Sequence, residues 1–217
     1  MGQENFKEMR KAMVVSQLRT TDVSDPRVIG AMADVAREDF VPTANRSIAY
    51  SDRGVAIGEG RALNTPLATG LLINAANIRS DDNVLIVGAA SGYTAAVVSK
   101  LTESVIALEQ SAKLVSKAQV NLATDENISI EKGKLADGFE KGGLYSVILI
   151  DGIVEQVSDS LEAQLAENGR LVAAISDSGV SRLALGRKAG GTVSYQYFAD
   201  CGGCVLPGFE KPKSFEF

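Results

Sequence analysis

Apolar residues in the first third of the chain recur at helical spacing. They predict two opening helices, Asn5 to about Thr20 and Pro26 to Ala36. Asp25 is a fitting N-cap for the second, and Pro26 stands at its first helical position. Thr65 and Pro66 repeat that pairing and open a third helix running to about Ala76. The stretch before it, "YSDRGVAIGEGRALNT", has glycine at short intervals and no sustained period, so it is expected to be irregular.

From Asn83 the pattern changes. Short apolar runs at Val84–Val87, Val105–Leu108, Ile128–Ile130, Ser146–Ile150 and Arg170–Ile175 alternate with helical stretches, except across the loop-rich Lys132–Gly143. That alternation predicts an α/β fold with a mostly parallel sheet covered on both faces. "SRLALGRKAGGTVSYQYFAD" breaks the rhythm and reads as two strands joined at Gly190–Gly191, a C-terminal antiparallel hairpin completing seven strands. The expected organisation is a single domain over residues 1–217, with residues 1–66 packed on it as a helical, substrate-side segment.

Composition narrows the chemistry. Hydrophobic residues make up 45% and charged residues 23%, which suits a globular core. The net charge of −5 without a basic run disfavours nucleic acid as a partner. No apolar run reaches the roughly 20 residues of a membrane span, and the opening "MGQENFKEMRKAMVV" lacks an apolar leader core, so the expected location is cytoplasmic. The chain has no histidine, which excludes every mechanism built on an imidazole base. Cys201 and Cys204 form "CGGC"; with no histidine or third cysteine for a metal, and a place after a strand rather than at the helix start of a redox pair, this reads as a glycine-rich structural turn.

The candidate site begins in "NVLIVGAASGYTAAVV", a buried strand that turns at Gly88 and resumes as a helix from about Ser91. In open α/β sheets ligands lie at the carboxyl ends of the strands. A dinucleotide turn needs G-x-G-x-x-G, but Ala90 holds the second glycine position and Tyr93 the third, so NAD is poorly supported. Glu109, followed by Gln110, ends the second strand about 20 residues after Gly88, where an acid accepts hydrogen bonds from ribose hydroxyls. The plainer reading is a solvated carboxylate at a strand end. An antiparallel tail is unusual for dinucleotide domains and normal for methyltransferases that use S-adenosylmethionine.

Four stretches carry a resemblance over nearly the whole chain: "MVVSQLRTTDVSDPRVIGAMADVAREDFVP", "AYSDRGVAIGEGRALNTP", "VLIVGAASGYTAAVV" and "LEAQLAENGRLVAAI". Together they resemble the protein-L-isoaspartate O-methyltransferase family. The resemblance implies a Rossmann-like S-adenosylmethionine-dependent fold and methylation of isoaspartyl carboxylates in damaged proteins, a repair reaction. An ionised carboxylate is already a nucleophile, so no general base is needed, and orientation alone can contribute about 7–11 kcal/mol. It further implies cofactor contacts from Gly88, Ala90, Ser91, Gly92, Tyr93, Glu109 and Gln110, and substrate contacts from Asn64 and Thr65.

Departures from the family pattern concentrate at this site. The family strand VLEIGTGSGY is here "VLIVGAASGY", with Ile86 in place of an acid and Ala90 in place of a glycine. Lys134 falls where the family has an aspartate on the adenine amine, and Asp137 is the nearest alternative acceptor. The family's T-I-S-Q-P is "ALNTP", so Asn64 replaces the orienting serine. Asp151 stands where a small residue or threonine is usual, and would repel an isoaspartyl carboxylate if both were ionised. Weakened cofactor affinity is expected. Two readings stay open: a divergent isoaspartyl methyltransferase, or a non-catalytic or substrate-shifted descendant acting as a binding scaffold.

Overall fold

The computed structural model describes residues 5–211. Helix α1 (Phe6–Met13) starts at Asn5, whose side chain accepts from the Glu8 amide, and widens into a π-helical stretch over Val14–Leu18. Asp25 caps α2 (Pro26–Asp34) through the Arg27 amide, and Thr65 caps α3 (Pro66–Ala76) through the Ala68 amide. Both caps fall where the sequence puts them. The segment expected to be irregular is instead a small antiparallel ribbon, β1 (Val55–Gly58) and β2 (Arg61–Leu63). Its turn holds Gly58, Glu59 and Gly60 at φ of +93°, +55° and +68°. Alternating burial along β1, with Val55 and Ile57 inward, is the strand signal that the glycines obscure.

The central sheet contains β3 (Asn83–Val87), β4 (Ser104–Glu109), β5 (Ile128–Lys132), β6 (Tyr145–Val154), β7 (Leu165–Asp177), β8 (Val180–Ala189) and β9 (Thr192–Asp200). Their order is β5-β4-β3-β6-β7-β8-β9, parallel through β7. The chain moves outward from β3 in one direction and then crosses to its other side at β6. The carboxyl end of β3 is therefore the switch point. Beyond β7 the sheet is a meander: Ser178–Gly179 and Gly190–Gly191 both make tight turns at positive φ, so β8 as well as β9 runs antiparallel to its neighbour.

Two apolar clusters lie on opposite faces. Val84 and Ile86 of β3 and Val147 and Leu149 of β6 join the cluster with α2, α3, α4 (Tyr93–Val98) and α5 (Ala112–Asn121). Leu85, Val87, Ile148 and Ile150 join the other, a strict period of two. That second face is covered thinly, by α6 (Asp159–Gln164), a turn at Leu135–Asp137, and the tail residues Leu206 and Phe209. The tail adds backbone bonds from the Ile153 amide to the Cys204 carbonyl and from the Leu206 amide to the Ile153 carbonyl, each 2.8 Å. It thereby runs as a strap along the carboxyl end of β6.

Candidate functional site

The turn after β3 is held by the amides of Gly88 and Ala89, both donating to the Leu108 carbonyl. Gly88 and Gly92 adopt φ of +82° and +99°, and Ala90 lies between them at +55°. An L-residue in the left-handed region is strained by roughly 1–2 kcal/mol, which explains why a glycine suits the Ala90 position. A Cβ on Gly92 would come within 2.7 Å of Leu122, so this glycine is required by packing against the end of α5. Ser91 donates to the Phe40 carbonyl at 2.6 Å, and Tyr93 stacks edge-on to Phe40, which ties the turn to the N-terminal segment.

Glu109 is fully buried at the end of β4. Its carboxylate accepts from the amides of Ala90, Gln110 and Ser111 at 2.9, 2.9 and 3.0 Å. Its fourth partner is Arg61, whose Nη1 lies 2.9 and 3.1 Å from the two oxygens while Nη2 donates to the Gly88 carbonyl at 2.9 Å. An ionised carboxylate offers about four acceptor sites, and all are taken. Sequence reasoning finds Glu109 but misses Arg61. Its only signal is a lone cation immediately after "GEG", facing an acid 48 residues away.

Asn64, directly after the last residue of β2, is carried to the end of β6. Its Nδ2 donates to Asp151 Oδ1 at 2.7 Å, both residues being buried. Burial pushes the Asp151 carboxyl above its ordinary range, against hydrogen bonds from Thr94 and Asn64 and the charges of Arg61 and Arg37. A raised Asp151 pKa lessens the repulsion that the sequence alone suggests. Arg37 is itself fully buried: Nε donates to the Ala49 carbonyl, Nη2 to the Asn64 carbonyl, and its guanidinium lies 4.6 Å from the Tyr93 ring centre. Arg37 thus fixes the backbone at Asn64.

Two clefts flank the β1–β2 ribbon, and Arg61 lines neither. One, of about 750 Å³, lies at the ends of β4 and β5 and is lined by Glu59, Gln110, Ser111, Lys113, Lys132 and Lys134. The other, of about 630 Å³, is lined by Asp52, Arg53, Thr65, Leu183, Cys201 and Cys204 among others. The sequence-selected residues divide between these places. Lys134 and Gln110 reach the first cleft, whereas Asp137 does not line it and its carbonyl serves Ser160 and Gln164 instead. Thr65 lines the second cleft, but its hydroxyl is engaged as the α3 cap. Cys201 and Cys204 are both free thiols, and burial pushes the Cys201 thiol up to about 11. Among the described residues no group of acidic, histidine or cysteine side chains could hold a metal.

The model of the protein-L-isoaspartate(D-aspartate) O-methyltransferase family matches residues 9–202. The chain belongs to that family. A protein-L-isoaspartate O-methyltransferase of Roseiflexus castenholzii is 34% identical over 198 residues, 90% of each chain. Protein-L-isoaspartate O-methyltransferase 1 of Rhodopseudomonas palustris is 34% identical over 182 residues, covering 82% of this chain and 74% of the relative. Among solved structures, a Plasmodium falciparum member of the isoaspartate methyltransferases, described as a complex with S-adenosyl-L-homocysteine, superposes with a TM-score of 0.77. It is 23% identical and covers 94% of this chain and 99% of its own, which establishes the shared fold. In this family member the switch point, the glycine turn and the buried acid are all present. Arg61 sits directly upon them.

Proposed function

We propose that this chain is an S-adenosylmethionine-dependent protein-L-isoaspartate O-methyltransferase, acting on isoaspartyl residues of damaged proteins. The observation that carries this is the buried Glu109 beside the glycine turn at the switch point, with Asn64 delivered to the same strand ends by the ribbon. These groups fit the cofactor in kind: an acid for the ribose once Arg61 releases it, and an adjoining cleft of about 750 Å³ for the nucleoside end. When bound, the cofactor supplies a methyl group on a positively charged sulfonium.

We assign Glu109 to the ribose, Gly88, Ala90, Ser91, Gly92 and Tyr93 to the walls of the turn, and Gln110 and Lys134 to the nucleoside cleft. Asn64 is assigned to the acceptor carboxylate, which its amide can orient; Thr65 holds α3 and the mouth of the second cleft, where the peptide enters. Asp151 supports this by accepting from the Asn64 amide, which fixes its orientation. No described helix is long and apolar enough to cross a membrane. We place the protein in the cytoplasm, where two free thiols persist.

One observation favours a second reading, a non-catalytic descendant: the chain's own Arg61 saturates Glu109. Calorimetric titration of the purified protein with S-adenosylhomocysteine separates the two. Binding in the micromolar range supports the enzyme; absence of heat at millimolar ligand supports the scaffold.

A further inference from the structure

We propose that Arg61 is an internal competitor for the cofactor, which must leave Glu109 before a ribose can take its place. The inference rests on the methyltransferase reading, because it requires the ligand to use Glu109. Of the four groups that donate to that carboxylate, three are backbone amides fixed by the fold, at Ala90, Gln110 and Ser111. Only Arg61 belongs to a side chain that can withdraw. It also covers the turn itself: a Cβ on Gly88 would meet Arg61 Nη2 and Leu206 Cδ1, each at 3.0 Å. The surface where backbone and ligand would approach is thus occupied from two sides, by the ribbon and by the strap.

The ribbon is built to let Arg61 move. Arg61 follows directly on the exposed Gly58–Gly60 turn, whose three residues all lie at positive φ. The turn's fastenings are at the rim: Lys113 to Glu59 at 2.9 Å, with the lysine side chain 81% exposed, and Cys204 Sγ to the Gly60 carbonyl at 3.3 Å. Such exposed pairs hold weakly. Arg61 Nε has no partner among the described residues, so the inner fastening is the Glu109 and Gly88 contact alone. Affinity for the cofactor is then set by how firmly Arg61 holds Glu109, because a ligand pays for displacing it before gaining its own contacts.

The test pairs calorimetric titration of the wild-type and Arg61→Gln proteins with S-adenosylhomocysteine and urea unfolding of both without ligand. Arg61→Gln should bind at least tenfold more tightly, equivalent to about 1.4 kcal/mol, while being less stable without ligand. A merely structural role would lower both quantities. Equal micromolar affinities would overturn the competitor and leave the methyltransferase reading standing. No heat from either protein would overturn both. If Arg61→Gln does not fold, Arg61→Lys retains the charge but cannot bridge Glu109 and Gly88 with a planar fork. It should then show a smaller gain in the same direction, and unchanged affinity there would equally overturn the proposal.

Discussion

Replacing Glu109 by alanine should be far more damaging than its place at a strand end suggests. The substitution strips partners from three backbone amides and leaves Arg61, whose side chain is 5% exposed, without its counter-charge. Breaking a buried ion pair by removing one partner costs about 3–5 kcal/mol. Against the total stability of about 5–15 kcal/mol usual for a domain, the variant would fold marginally. Urea unfolding at 25 °C followed by circular dichroism measures this as a lower midpoint with an unchanged slope. The double variant Glu109→Ala with Arg61→Gln should recover part of the loss, because the uncompensated guanidinium is gone, and the cycle gives the coupling directly. A loss below about 1 kcal/mol for Glu109→Ala, the range of exposed pairs, would show that the Arg61–Glu109 contact is not the ground state in solution.

Ala90→Gly should stabilise the protein by about 0.5–1 kcal/mol, relief of left-handed strain exceeding glycine's entropic cost, and a urea midpoint that falls instead would refute the strain. Asp151 has its native pKa raised from the ordinary 3.8, so its contribution is complete below that pH and is lost as pH rises toward the native value. Asp151→Asn, which still accepts from Asn64, should therefore gain stability relative to wild type as pH rises above about 4; a pH-independent difference would show that the Asp151 carboxyl is not raised in the native protein. Arg170 fastens the end of α3 to β7, bonding Asp82 at 2.5 and 3.1 Å and the carbonyls of Ala76 and Asn77. Arg170→Met should cost about 3–5 kcal/mol near neutral pH, shrinking in acid because Asp82 is held below its ordinary 3.8 and gives up that contribution as it protonates.

The fold was legible wherever local chemistry and burial point the same way. Asp25 with Pro26 and Thr65 with Pro66 mark helix starts because a capping oxygen and a fixed φ act within three residues. The strands of the parallel sheet show as apolar runs because both faces are covered. The ribbon was not legible, since its two strands are short and their inward residues are separated by glycines needed for the turn. The site was half legible. Glu109 follows from the spacing of the turn and second strand, but its partner Arg61 depends on a tertiary contact with no local period. The strap has no local signal either: "CGGC" reads as a turn, and only the tertiary structure shows that Leu206 closes over Gly88 and Gly152. Ile86 shows where sequence and structure agree on a departure. It is fully buried in the apolar cluster facing the N-terminal helices, an aliphatic side chain where the family pattern has an acid.

The central claim is methyl transfer to isoaspartate, and the direct measurement is incorporation of label from methyl-labelled S-adenosylmethionine into a short peptide containing one isoaspartyl residue. The same peptide with ordinary aspartate serves as its twin. The expected result is a base-labile methyl ester on the isoaspartyl peptide alone, saturating with cofactor concentration. No ester on either peptide at saturating cofactor, or equal labelling of both, would contradict it.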